Sequence, residues 1–288
     1  MRQILFLSGK GGTGKTSLAA AFAVLAENKV LADCDVDAAN LHLLLDPQVV
    51  AEGDFEGSKE AVRDASLCTG CGRCREVCRF NAIHESFEID PYLCEGCGAC
   101  VTACPVNAIA LEPRISGRWF NAVTKWGLLA SAELHPGEET SGKLVMQVKR
   151  NMQTLAESSA SEWAIADGSP GIGCPVIASV SGVDAVILVT EPTLSGMHDL
   201  ERILGVINHF QIPPYLVINK ADLSTDLTAR LEIFATEKNL PVLGQIPYDR
   251  AVPVLLLEGR SVVEDEDSPA GDAMRRIFTN FMEAANDL

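Results

Sequence analysis

Ile4-Leu5-Phe6-Leu7-Ser8-Gly9-Lys10-Gly11-Gly12-Thr13-Gly14-Lys15-Thr16-Ser17 holds an unbroken apolar run, a glycine-rich turn and the start of a helical pattern. The apolar run predicts a buried strand over 4–8 and the pattern after it a helix over 15–27. The turn fits G-x-x-x-x-G-K-[ST], a loop whose N–H groups and following helix N-terminus suit phosphate oxygens. Lys15 is placed to reach the β- and γ-phosphates and Thr16 to ligate Mg2+.

Outward from this loop, strand and helix signals alternate. A second strand over 29–32 ends at Asp33-Cys34-Asp35. The alternation then breaks. Residues 52–58, Glu-Gly-Asp-Phe-Glu-Gly-Ser, read as a linker, and 115–134 as strands. Ser141 is a candidate cap for a helix over 143–158. Strands over 163–167, 184–190, 215–219 and 242–246 follow, with helices over 175–181, 195–210 and 225–238 between them. This βαβα order predicts an α/β fold, a doubly wound and mostly parallel sheet. Residues 1–58 and 113–288 form that domain, and 59–112 form a small α+β domain inserted in it.

The insert holds eight of the ten cysteines. Cys68, Cys71, Cys74 and Cys78 form one C-x2-C-x2-C-x3-C run. Cys94, Cys97, Cys100 and Cys104, followed by Pro105, form another. The offset is 94 − 68 = 26 residues. Soft thiolates favour iron–sulfur clusters or zinc, and this repeated spacing is that of a ferredoxin with two [4Fe–4S] clusters. In that pattern the fourth cysteine of each run serves the other cluster. Cys68, Cys71, Cys74 and Cys104 are then one ligand set, and Cys94, Cys97, Cys100 and Cys78 the other. Arg79 stands where proline is expected after Cys78, either as a charge near a cluster or as a solvated surface residue.

The charge of −16 is a poor match for nucleic acid, which needs Lys and Arg against its phosphates. No apolar stretch has the length of a membrane span, and no secretory signal is visible at the start. Ten cysteines in that setting predict a reducing cytoplasm and metal ligation in place of disulfides.

Lys10, Gly11, Gly12, Thr13, Gly14, Lys15 and Thr16 resemble the deviant phosphate loop of the MinD/ParA group of P-loop ATPases. Asp33-Cys-Asp35 with Asn40-Leu41 resembles its first switch, and Asp167-Gly-Ser-Pro-Gly171 its second. Asn219-Lys-Ala-Asp222 and Ile246-Pro247-Tyr-Asp249 resemble its adenine-binding end. With the insert and Gly137–Leu144, the chain is similar to members of this group that contain a ferredoxin domain. The resemblance implies an ATP-bound homodimer in which Lys10 of one subunit reaches the other's phosphates. It implies that Asp35 orients the attacking water and that Asp33 and Asp167 hold Mg2+ through waters. Gly9, Ser17, Asn219, Asp222 and Pro247 complete the implied nucleotide contacts.

Two cysteines stand outside the runs. Cys34 reads as a buried small side chain. Cys174 lies seven residues after Asp167, the offset of a cluster ligand in the related nitrogenase iron protein. It is either a redox-active site or a structural residue opening a helix. Met274, Ile277, Phe278, Phe281 and Met282 share one helical face. Members of the MinD group use such a C-terminal helix on membranes, but this one lacks a basic face, so packing on the sheet and no stable membrane anchor are expected.

The expected function is a Mg2+-dependent ATPase that gates electron transfer from its clusters to a redox or iron–sulfur partner protein. The alternatives are an iron–sulfur carrier and a non-redox spatial regulator.

Overall fold

The computed structural model describes residues 1–138 and 141–285. These residues group into two compact units. The first comprises 1–52, 119–133 and 141–285. The second comprises 53–118 and 134–138, and so extends beyond the 59–112 marked by the cysteine runs.

Among the described residues, nine strands form one sheet: β1 (Arg2–Leu7), β2 (Lys29–Asp33), β3 (Gln48–Arg63), β4 (Ile109–Thr124), β5 (Gly127–Leu134), β6 (Trp163–Asp167), β7 (Ala185–Thr190), β8 (Pro214–Asn219) and β9 (Val242–Ile246). Their order is β3-β4-β5-β2-β6-β1-β7-β8-β9. The pairings β5·β2, β2·β6, β6·β1, β1·β7, β7·β8 and β8·β9 are parallel. The helices are α1 (Lys15–Leu25), α2 (Arg73–Val77), α3 (Ala99–Ala103), α4 (Ser141–Ser159), α5 (Cys174–Val180), α6 (Leu194–His209), α7 (Thr225–Glu237), α8 (Ala251–Leu257) and α9 (Pro269–Ala284).

The central strands are apolar because parallel strands between helical layers bury both faces. All six residues of β7 are buried. Ala19 to Ala23 in α1 are also buried, and the small side chains let the helix lie close to the sheet. Phe22 meets Phe6, Phe278 and Phe281 edge to face, with centroids 4.9, 5.1 and 5.8 Å apart. Met274, Ile277 and Phe281 of α9 are buried in that core, with Phe278 and Met282 packed at its margin. The expected packing of the last helix is therefore found among the described residues. No helix there is long and apolar enough to cross a membrane.

The linker expected at 52–58 is corrected: those residues lie within β3. β3 is an edge strand and buries few side chains, so its Gly- and Glu-rich sequence carries no period-two apolar signal. Its order comes from backbone pairing instead. The helix expected from Lys143 begins by Ser141. Glu139 and Thr140, within the family-like stretch Gly137–Leu144, lie outside the described residues.

In the second unit the 26-residue repeat is visible in the backbone. α2 and α3 start at 73 and 99. Gly70 and Gly96 have φ of 67° and 61°, Gly72 and Gly98 of 81° and 76°, and Asn81 and Asn107 of 54° and 52°. Each run thus makes the same left-handed turns into a short helix, which glycine tolerates and most residues do not.

Candidate functional site

Parallel strands deliver their carboxyl ends to one edge of the sheet. Register fixes which residues meet there: Phe6 lies beside Asp167, and Asp33 beside Asp167 on the other flank. The loop 8–14 follows β1 at this edge. Gly12 and Gly14 have φ of 79° and 91°. Gly14 admits no side chain, since a Cβ would sit 3.3 Å from Asn219 Cγ and nearer still to its amide nitrogen. At Gly9 a Cβ would lie 2.7 Å from the Asp199 carbonyl carbon. Gly11 and Gly12 face open space, as backbone donating to a phosphate chain requires. The cleft lined by Gly11–Ser17, Asp35, Asn40 and Pro170 has a volume of about 710 Å3.

Lys15 is only 6% exposed. Its Nζ lies 2.6 Å from Asp167 Oδ1 and 3.8 Å from Asp35 Oδ2. Burial opposes its charge, but Asp167, Asp35 and Asp33 outweigh that and raise its pKa. Thr16 Oγ1 donates to Asp167 Oδ2 at 2.6 Å. Lys15, Thr16 and Asp167 are thus brought together. Burial, and then repulsion from Asp167, push Asp33 up to about 7. Asp35 is pushed up to about 6, chiefly by burial. Asp33, Asp35 and Asp167 are thus three buried carboxyl groups facing one buried lysine. Thr13 Oγ1 is also buried without a partner.

Asp33 has a second task that the sequence reading did not include. It accepts the backbone N–H groups of Asp35, Asn40 and Leu41 at 3.1, 3.0 and 2.9 Å. It therefore shapes the segment that presents Asp35. Asn219 also works through backbone: its Nδ2 donates to Thr13 O at 2.7 Å and holds the loop. Asp222 accepts the Tyr248 N–H at 2.6 Å, tying 219–222 to 246–249. Ser17, Asn219 and Pro247 line a neighbouring hollow of about 330 Å3 with Tyr248 and Met274, apolar enough for a base.

Lys10 is held within its own subunit, 2.7 Å from Glu191 Oε1 and within hydrogen-bond reach of Thr193 and Ser195. Lys220 also pairs with Glu191, at 3.1 Å, and donates to Gly12 O. The sequence reading gave no role to Glu191, Thr193, Ser195 or Lys220. The available signal was that Glu191 and Lys220 directly follow β7 and β8 and that Thr193 and Ser195 open α6.

Cys34 is fully buried and its thiol is pushed up to about 12 by burial, as a small core side chain would be. Cys174 is exposed at the start of α5, against Gly142.

The second unit places its cysteines around two cavities. One is lined by Cys68, Cys71, Cys74 and Cys104, the other by Cys78, Cys94, Cys97 and Cys100. Each holds three cysteines of one run and the last of the other. Ala108 N–H donates to Cys104 Sγ at 3.2 Å and Ala61 N–H to Cys94 Sγ at 3.4 Å. Hydrogen bonds from Gly70 N–H and the Arg63 side chain hold the Cys68 thiol below its usual range. Arg79 is exposed and lines neither cavity. Among the described residues no three His, Cys, Asp or Glu side chains converge as they would on a single metal ion.

Residues 4–262 match the model of the CobQ/CobB/MinD/ParA nucleotide-binding domain. The chain belongs to that family. An uncharacterized protein of Methanocaldococcus jannaschii is 33% identical over 290 residues, covering 98% of this chain and 96% of the relative. The septum site-determining protein MinD of Bacillus subtilis is 28% identical over 152 residues, 50% of this chain and 56% of the relative. Among solved structures, MinD of Pyrococcus horikoshii complexed with Mg-ADP superposes with a TM-score of 0.62 at 18% identity. That match covers 99% of this chain and 97% of the other and shows a shared fold. The loop, Lys15, Thr16 and Asp167 described above lie within the matched family domain.

Proposed function

We propose that the chain is a Mg2+-dependent ATPase whose cysteine-rich unit carries two [4Fe–4S] clusters and passes electrons to a partner protein under nucleotide control. The nucleotide half rests on the family and on the cleft. Its glycine turns offer N–H groups to the phosphates, and Lys15 exchanges Asp167 for phosphate oxygens. Thr16 and Asp167 would hold Mg2+, which neutralises phosphate charge; a few protein oxygens with waters suit this ion better than a dedicated cage. Asp35 orients the attacking water and takes its proton as the β–γ bridging P–O bond breaks, leaving ADP and inorganic phosphate. Lys10 is the candidate to reach across a homodimer, released from Glu191.

The observation that carries the redox half is the pair of cavities, each with a complete crossed set of four cysteines. A cube-shaped cluster keeps its thiolates farther apart than one ion does, which accords with four thiols around a hollow. Left-handed glycines and N–H···S bonds are the usual surroundings of such a group. When bound, each cluster stores one electron.

The likeness to MinD over half the chain favours a second reading, a non-redox spatial ATPase with the cysteine unit as a docking module. Iron and sulfide analysis of anaerobically purified protein, followed by an EPR redox titration with and without MgATP, separates the two. Midpoints that move with MgATP support the proposal. Clusters with unmoved midpoints favour a carrier or docking role, and the absence of iron and sulfide refutes the redox half.

A further inference from the structure

The two cysteine cavities repeat each other in backbone but differ in charge. Arg63, half-buried on β3, lines the cavity of Cys68, Cys71, Cys74 and Cys104, and its side chain hydrogen-bonds Cys68. Gly70 N–H and Ala108 N–H add two further donors to sulfurs of that set. The other cavity has one such donor, Ala61 N–H to Cys94 Sγ, with Glu95 in its lining and no basic residue. The wider sequence runs the same way. Between Arg79 and Arg114 there is no Lys or Arg, but there are five carboxylates: Glu85, Glu88, Asp90, Glu95 and Glu112. The first repeat, residues 59–79, in contrast holds Lys59, Arg63, Arg73, Arg75 and Arg79 against Glu60, Asp64 and Glu76, a balance of 5 − 3 = +2.

Cluster potential depends on hydrogen bonds to the sulfurs, local charge and exposure. One electron from an added donor takes a [4Fe–4S]2+ core to [4Fe–4S]+, and the donor is oxidised by one electron with no bond made or broken. The added charge is stabilised by a cation in contact with a ligating sulfur and destabilised by a nearby carboxylate. Glu95 is exposed, so water and salt weaken its effect, whereas Arg63 is partly shielded.

We infer that Arg63 makes the Cys68–Cys71–Cys74–Cys104 site the higher-potential of the two, so that the first electron settles there and the Glu95 site is filled second. This rests on the two-cluster reading of the cavities. It sets an internal direction: downhill flow runs from the acidic second repeat to the basic first repeat.

The test is an EPR-monitored redox titration of the intact protein against Arg63→Gln, Arg63→Lys and Glu95→Gln, after iron and sulfide have been measured on each. Two midpoints are expected in the wild type. Arg63→Gln should shift the higher one to more negative potential and narrow the gap, with the lower one nearly unmoved. Arg63→Lys, which keeps the charge, should show little of that shift. Glu95→Gln should raise the lower midpoint by a smaller amount. A widened gap in Arg63→Gln, unmoved midpoints, or an equal shift of both would overturn the inference. If Arg63→Gln fails to load one cluster, Glu95→Gln decides: a lower midpoint that does not rise overturns it. Lack of iron and sulfide in the wild type would refute the two-cluster reading itself, and the inference with it.

Discussion

Gly70 and Gly96 occupy the same place in the two cysteine runs and share a left-handed φ, 67° and 61°. Changing either to alanine costs about 1–2 kcal/mol for that backbone conformation. Their surroundings differ. A Cβ at Gly70 would meet only Phe87, at 3.7 Å, an ordinary contact. A Cβ at Gly96 would lie 2.9 Å from the Lys59 carbonyl carbon and closer still to its oxygen. That obstacle is backbone of β3, not the movable end of a side chain. The strand or the turn must shift, at a further cost of about 1–3 kcal/mol, the usual range for overpacking. Gly96→Ala should therefore be less stable than Gly70→Ala by about 1–3 kcal/mol, the shared φ cost cancelling. Melting followed by circular dichroism should show the Gly96 variant lower by roughly 2–10 °C. The turn also carries Cys94 and Cys97, so Gly96→Ala should lose iron while Gly70→Ala keeps it. Equal melting temperatures would refute the steric reasoning, whatever the iron content.

Further outcomes follow from the same geometry. Lys15→Ala should abolish nucleotide binding measured by calorimetry, because it removes the only cation held by Asp167 among the described residues. Asp35 must be ionised to take a proton, and it is pushed up to about 6. ATP hydrolysis should therefore rise as pH increases through about 6, and Asp35→Asn should lose turnover while retaining affinity. Asp33 is pushed up to about 7 without metal, so the folded state holds its proton more tightly than the unfolded chain. Its contribution to stability is complete below the unfolded value near 4 and is lost as pH climbs through about 7; Asp33→Asn should lack that loss in Mg2+-free melts. Lys10→Ala should keep ADP affinity but fail to dimerise with ATP on size-exclusion chromatography. Cys104→Ser should remove the cluster of the Cys68 run while sparing that of its own run, read as loss of one EPR signal; loss of the other would refute the crossed pairing.

The sequence by itself determined the framework. Apolar runs between glycine turns marked nearly every central strand, because a strand buried on both faces must be apolar along its whole length. The strand ending at Asp167 was read to the residue; Lys15 and Thr16 came from motif spacing and Asp167 from a family resemblance, and the sheet register brings the strand ends together. The two-cluster ferredoxin pattern implied a crossed partition of the cysteines, and the two cavities group the same eight residues in that way. β3 was not legible, because an edge strand is ordered by hydrogen bonds that no side-chain pattern records. Nor were the tasks of Asp33 and Asn219, whose side chains hold backbone groups distant in sequence. Tertiary structure alone brought Glu191 to Lys10 and Lys220, and Arg63 in place of Arg79 to the cysteines. These are charge contacts between separate strand ends and loops, and only the packed fold decides which charges meet.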